Sequence, residues 1–386
     1  MRVTLHGGIG AAVARQSGDP RYAGIHTAEA RRHRTGTHAA DPPERNAVPP
    51  SPRATMADVA RVAGVSKTLV SIVFREAPGA SAATRARVLA AAEQIGYVRD
   101  ERARMLRSRT STDVGVMFST QEPMQHDLLD GLYKATSGSR HNLILSAASE
   151  NRTQEEAILS LVAFRCGAII VIAPQMADEH LTSIAQGVPV VCVGRPAQTT
   201  QIDWVSSEDA DGMRQAVQHL VELGHERITF FSSPTSCGSA ERESGFRDAI
   251  HAAGVTGTVR PAGRTSTAGA RAAADVLASS PRPTAIIGFN DRCAKGAMDV
   301  LLGRGVNIPS QMSIVGFDDC EVAQRDYVRL TTVRQDTAKI ARFAAERAIQ
   351  RIAGIYLESQ PAGLRVPTEL VVRATTSAPG TDAARC

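Results

Sequence analysis

Ser66, Lys67, Thr68, Ser71 and Ile72 fall in one short stretch between a glycine and an apolar run. On the first turns of a helix, such hydroxyl and ammonium groups can meet base edges in a DNA major groove. Ile72 can meet only an apolar group there, such as a thymine methyl. Arg85 and Arg87 are available for phosphates, which position a protein on a duplex without reading its sequence. Bond-breaking chemistry lacks its signatures. No G-x-S-x-G, P-loop, G-x-G-x-x-G or metal triad occurs. The six cysteines (Cys166, Cys192, Cys237, Cys293, Cys320, Cys386) show no C-x-x-C pair. Reduced thiols are therefore expected, with no metal and no cofactor.

Those side chains need a small frame, and residues 54–99 supply one. A first helix is expected from Met56 to Ala63, with Thr55 as N-cap, Asp58 at its positive end and Val59, Val62 and Ala63 on its apolar face. Gly64 ends it with the positive φ that a tight turn needs. Ser66 caps a second helix running through Phe74, whose Leu69, Val70 and Val73 face inward. Ser81 caps a third helix, with Val88, Leu89, Ala92 and Ile95 at helical spacing, and Gly96 closes it. The pattern predicts an all-α helix-turn-helix domain that binds DNA.

Charge supports that division. Residues 54–110 carry 10 basic and 5 acidic side chains, and residues 111–386 carry 26 and 30. The basic excess sits on the head and on the segment before it, a distribution that suits nucleic acid at one end. Residues 1–53 are rich in Arg, His, Ala, Gly and Pro without lasting periodicity and are expected to be disordered. A translation start near Met56 would explain them, and intact mass of the natively expressed protein tests it. No apolar run reaches the length of a membrane span.

From Val114 short apolar runs alternate with amphipathic stretches. Strands are expected at Val114–Phe118, Asn142–Ser146, Gly167–Ile172, Val188–Val193, Trp204–Val205, Arg227–Phe231, Val259–Pro261, Ala285–Phe289 and Ser313–Phe317. Helices are expected between them, the last over Val333–Ala353. The alternation predicts two doubly wound parallel-sheet subdomains, with a ligand cleft beyond the carboxyl ends of the strands.

The head resembles the DNA-binding domain of the LacI/GalR family of transcriptional regulators. The matching residues include Thr55, Asp58, Ala63-Gly64-Val65-Ser66, Val70-Ser71, Thr84-Arg85, Gly96-Tyr97, Ala103-Arg104 and Leu106. The resemblance implies a hinge helix within residues 100–112 that folds on operator DNA, with Ala103 and Arg104 in the minor groove and Leu106 wedging into a base step. Thr55, Ser66, Lys67, Thr68, Ser71, Ile72 and Arg85 complete the implied DNA-contacting set. Leu69 and Ile72 depart from the family's usual residues, so the operator is expected to differ from the common one.

The resemblance continues through residues 113–378, which look like the family's periplasmic-binding-protein-like sensor. It is carried by HLVELGHERITFF, by RESGF and above all by FNDRCAKGAMDVLLGRGVNIPSQMSIVGFDD. It implies that Arg242, Asn290 and Asp318 line an effector cleft, with Gln125 opposite them. Arg195, at the end of the VVCVGR strand, is a further candidate. Guanidinium and carboxylate groups can each make two hydrogen bonds to adjacent hydroxyls, which suits a sugar-like effector. Met124 and Gln125 stand where the family often has two aromatic residues, and Gln125, Glu122 and His126 favour a ligand more polar than a simple hexose or differently shaped. Trp204, the only tryptophan, suits either stacking on a sugar or half-buried packing.

The reading is a cytoplasmic, dimeric regulator, a repressor, bound to a near-palindromic operator and not to a membrane. The alternative is a solute-binding protein of a transport system, which the body alone would fit. Residues 379–386 are expected to form a flexible tail.

Overall fold

The computed structural model describes residues 54–75, 77–98, 111–355 and 363–380. The expected extension over residues 1–53, the hinge residues Ala103, Arg104 and Leu106, and residues 381–386 lie outside the described residues. The chain divides into two compact units between residues 99 and 100.

The head is made of α1 (Met56–Ala63), α2 (Lys67–Phe74) and α3 (Ala82–Gln94). Thr55 and Asp58 form a reciprocal capping box at the start of α1. Gly64 takes φ 61°, and the amides of Gly64 and Val65 return to the carbonyls of Arg61 and Ala60. The core is built from Val59, Ala60, Ala63, Val70, Val73, Val88, Ala91 and Ala92. Two expected core residues are displaced from it. Val62 and Leu89 are 39% and 54% exposed. At about 100° per residue, Val62 falls on the far side of Val59 from Ala60 and Ala63. Leu89 lies a similar step away from Val88 and Ala92. In helices this short, one residue of phase decides burial.

The body holds two six-stranded sheets. The first lobe contains β1 (Val114–Ser119), α4 (Met124–Thr136), β2 (Leu143–Ala148), α5 (Gln154–Ala163), β3 (Ala168–Ile172), α6 (Asp178–Ala185), β4 (Val190–Val193) and β5 (Ile202–Ser207). The chain then enters the second lobe with α7 (Asp209–Glu222), β6 (Arg227–Ser232), α8 (Ser239–Ala253), β7 (Thr256–Pro261), α9 (Ser266–Leu277), β8 (Ala285–Ile287), α10 (Asp291–Gly303), β9 (Ser313–Asp318), α11 (Glu321–Gln324) and β10 (Thr331–Gln335). It returns to the first lobe for α12 (Thr337–Ile352) and β11 (Gly363–Val366), and ends in the second with β12 (Thr368–Val371).

The strand orders are β11-β5-β4-β3-β1-β2 and β12-β10-β9-β8-β6-β7. All pairings are parallel except β10 with β12. Every residue of β3 is buried, as a strand covered by helices on both faces requires. Each fully buried side chain of this kind contributes about 1.5–3 kcal/mol. Gly296 lets α10 pass close to α9, because a Cβ there would stand 1.9 Å from the Ser266 carbonyl oxygen.

The expected helix over Val333–Ala353 is corrected at its start. Thr331–Gln335 is strand β10, and Asp336 then caps α12 through the Lys339 amide. Strands β10, β11 and β12 were not among the expected strands. Each is four or five residues long and is held by partners distant in sequence, such as Trp204 for Gly363. Gly380, within the segment expected to be a flexible tail, donates its amide to the Ser310 carbonyl at 3.0 Å.

Candidate functional site

On the head, Lys67 and Thr68 are exposed at the start of α2, and Ser71 and Ile72 are half-buried. Ser66 Oγ accepts the Leu69 amide at 3.2 Å, which fixes where the helix begins. Thr55 Oγ1 donates to the Asp58 carboxylate at 2.7 Å, so its hydroxyl is engaged within the cap. Arg85 is half-buried. Its guanidinium donates to the carbonyls of Ala77 (2.5 Å) and Val73 (3.4 Å). This cation therefore ties α3 to the end of α2 and has only its remaining donors for phosphate.

The body holds a cavity of about 510 Å³ bordered by both lobes, within the usual range for small-molecule sites. Its walls are built at the carboxyl ends of strands, where Ser119 ends β1, Ala148 ends β2 and Asp318 ends β9. Gln125, Arg242, Asn290 and Asp318 all border it, as expected.

Arg242, on the first turn of α8, is almost fully buried. Its Nε donates to Asp209 at 2.9 Å and its Nη1 to the Phe289 carbonyl at 2.6 Å. Nη2 stands 3.6 Å from Asp318. The guanidinium is also 3.7 Å from the centroid of the Phe317 ring and 4.7 Å from that of Phe289, a cation–π arrangement strengthened by desolvation. Asp318 accepts a bond from Gln335 Nε2 at 2.7 Å. Burial pushes its carboxyl well above the ordinary carboxylate range, against the pull of Arg242. Asp318 and Asp319 have φ of 114° and 55°. Left-handed backbone at two successive non-glycine residues is stored strain, of the kind that gathers at binding sites.

Asn290 caps α10 through the Cys293 amide at 2.9 Å. Its Nδ2 has no protein partner among the described residues. Gln125 accepts the Ser119 amide at 2.6 Å, which leaves its own amide donor likewise unengaged. Beneath this layer Asp291 is buried between Thr332 Oγ1 (2.5 Å) and the Cys320 amide (2.8 Å). Burial pushes its carboxyl up to about 7.

Arg195 is placed elsewhere. It pairs with Asp178 at 2.7 Å and donates to the carbonyls of Met176 (2.9 Å) and Pro196 (3.1 Å), and it does not border the cavity. The buried Asp178 carboxylate needs a cation, and Arg195 supplies it. Trp204 is also outside the cavity. It packs over Gly363, where a Cβ would come within 2.3 Å of the indole, and its ring lies 5.6 Å from the Arg365 guanidinium.

Two site residues carry no mark in the sequence: Asp209 is hidden in a helix start, and Arg264 meets Glu122 only across 142 residues of chain. No local pattern signals such a pairing.

The profile described as "Bacterial regulatory proteins, lacI family" matches residues 55–100, and that of a "Periplasmic binding protein-like domain" matches residues 217–376. The HTH-type transcriptional regulator GalR of Escherichia coli (strain K12) is 32% identical over 303 residues, covering 77% of this chain and 88% of that protein. The HTH-type transcriptional regulator CelR of Thermobifida fusca is 30% identical over 340 residues, covering 83% and 98%. Among solved structures, the lac repressor dimer bound to operator and the anti-inducer ONPF is similar with a TM-score of 0.75 and 26% identity, over 85% of this chain and 100% of that one. The CelR–cellobiose complex is similar with a TM-score of 0.62 and 28% identity, over 84% and 100%. These matches take in head and body together, which favours the regulator over the transport protein. The chain is a DNA-binding transcriptional regulator, and it belongs to the lacI family of bacterial regulatory proteins.

Proposed function

We propose that this regulator is a cytoplasmic homodimeric repressor whose operator affinity is set by a small sugar-like effector held in the interlobe cavity. The observation that carries the effector reading is the Arg242–Asp318 pair. It is buried, strained at its backbone and open to a cavity that also presents the amide donors of Asn290 and Gln125. Fixed carboxylate, guanidinium and amide groups match the adjacent hydroxyls of a polyol. The repressor reading draws on relatives that carry that name, such as PurR of Vibrio cholerae.

Residues 54–99 are the reader, 100–112 the hinge and 113–378 the sensor and dimerisation unit. Lys67 and Thr68 are the foremost base-reading candidates, joined by Ser66, Ser71 and Ile72, with Thr55 and the remaining donors of Arg85 at phosphates. Ala103, Arg104 and Leu106 act in the hinge. Two heads related by a two-fold axis read a near-palindrome. The effector favours one arrangement of the lobes and thereby changes operator affinity, and linkage requires the operator to change effector affinity by the same factor.

The test is selection of bound duplexes from a random DNA library by the full-length protein, followed by titration of the enriched duplex with and without cellobiose and other sugars. An enriched near-palindrome whose affinity shifts with one sugar is expected. Enrichment with no shift for any sugar would overturn the effector class, and no enrichment in the presence or absence of sugars would overturn the operator reading.

A further inference from the structure

Glu122 lies on the loop from β1 to α4 in the first lobe. Arg264, between β7 and α9, and Arg292, the second residue of α10, belong to the second. Arg264 Nε is hydrogen-bonded to the Glu122 carboxylate. Arg292 Nη1 is bonded to the Gln121 carbonyl and stands 3.7 Å from the same carboxylate. All three side chains are less than one-third exposed, so their attraction is screened less than that of a surface pair. One carboxylate of one lobe thus holds two guanidiniums of the other.

The remaining charges at the cavity are also engaged. Arg242 and Asp318 serve each other. Arg152 donates to the Ala147 carbonyl at 2.9 Å and to Ser160 Oγ at 2.6 Å. At the exposed rim His180 meets Glu155 at 3.2 Å, and Glu150 accepts a bond from Gln121 at 3.0 Å. Among the described residues that border the cavity, the side-chain amides of Asn290, Gln125 and Gln175 and the Nη donors of Arg264 have no protein partner. A ligand carboxylate or phosphate that took Arg264 Nε or Arg292 Nη1 would have to displace Glu122, and one bound at the Arg264 Nη donors would lie beside the Glu122 carboxylate. A ligand ammonium would have to displace the arginines from Glu122. Either displacement leaves a half-buried charge without its partner, which is costly. A neutral polyol disturbs neither.

We infer that Glu122, Arg264 and Arg292 form a latch between the lobes that makes the cleft selective for an uncharged ligand. The inference rests on the reading that the cleft holds the effector, and it names the residues that set its charge selectivity. The latch also holds the lobes together when the cleft is empty.

Two measurements on the full-length protein test it. Calorimetric titration would compare cellobiose and D-glucose with D-glucuronate and D-glucosamine, on the unaltered chain and on Glu122→Gln. The unaltered chain should bind a neutral probe about tenfold more tightly than the charged ones, and Glu122→Gln, by freeing both arginines, should improve glucuronate about tenfold relative to glucose. Charged probes that bind the unaltered chain as tightly as neutral ones, or a ratio unmoved by Glu122→Gln, would overturn the inference. Hydrogen exchange without any sugar is the second measurement. Glu122→Gln and Arg264→Gln should each speed exchange about tenfold in residues 119–126 and 288–296 while leaving the urea midpoint near its original value. Unchanged exchange would remove the latch. If no sugar binds, the proposed effector class fails on its own, and exchange still decides the latch.

Discussion

Two of the arginine–aspartate clusters in the body share a chemistry and differ in almost everything else. In the first lobe Asp203 of β5 is fully buried and takes Arg347 at 3.0 Å and Arg351 at 2.7 Å. Both arginines come from α12, so the cluster pins that helix to the sheet. In the second lobe Arg242 takes Asp209 and Asp318, lies against two phenylalanine rings and borders the cavity. Of the two, only this second cluster has left-handed backbone, and burial raises its Asp318 carboxyl well above the ordinary range. Burial and pairing alone therefore do not mark a site. Pairing at a strained strand end, open to a cavity, does.

The largest expected effect tests the pinning cluster. Asp203→Ala leaves two arginines without their carboxylate and should cost about 3–5 kcal/mol of stability, read by urea unfolding, with effector affinity of the folded protein unchanged. A loss of affinity without a loss of stability would reverse the two roles.

Asp318→Asn should do the opposite. It keeps the size of the side chain and an acceptor for Gln335, and it relieves a buried charge, so stability should change little. Effector binding should weaken by about 1.5–3 kcal/mol, the range for hydrogen bonds to a charged group, measured by calorimetry. Equal losses in stability and affinity would erase the contrast between the clusters.

Protonation sharpens it further. Asp291, behind the cavity, has its carboxyl raised to about 7. The folded chain binds this proton more readily than the unfolded one, so this group lowers stability as pH rises from the ordinary aspartate range through about 7. His225 is buried away from the cavity, between Thr284 Oγ1 (2.8 Å), Ser313 Oγ (2.9 Å) and the Ser377 carbonyl (3.0 Å). Burial depresses its pKa below the ordinary 6.5. Its contribution is present above that value and is lost as pH falls toward the depressed one. His225→Gln should cost about 1–2 kcal/mol at pH 7.5, and the difference from the unaltered chain should narrow by pH 5 in urea unfolding. A constant difference would mean that His225 does not titrate in this way.

The smallest effect concerns a third pair of the same type. Arg195 is 23% exposed and only its partner Asp178 is well buried. Arg195→Gln should cost about 1 kcal/mol, given partial solvent screening, and leave effector affinity unchanged in the same titration. A marked loss of affinity would return Arg195 to the effector site.

The amino-acid sequence by itself determined the head and the layout of the body. Helix caps, a glycine turn and the alternation of strand and helix are set by interactions within a few residues, so Thr55, Gly64, Ser66 and Ser81 announced the three helices directly. The long run from Phe289 to Asp319 placed Asn290 and Asp318 at the ends of strands before any contact was known. Tertiary structure alone decided which arginine faces the cavity. Arg195 and Arg242 both follow strand segments in the sequence, and only the position of a buried carboxylate turns one inward to Asp178 and the other toward Asp318. It also decided the late strands, of which β11 is held by a partner more than a hundred positions away, and the meeting of Glu122 with Arg264 and Arg292. Charges that pair across two lobes are brought together by the folding of both, and no local spacing can record the distance they will close.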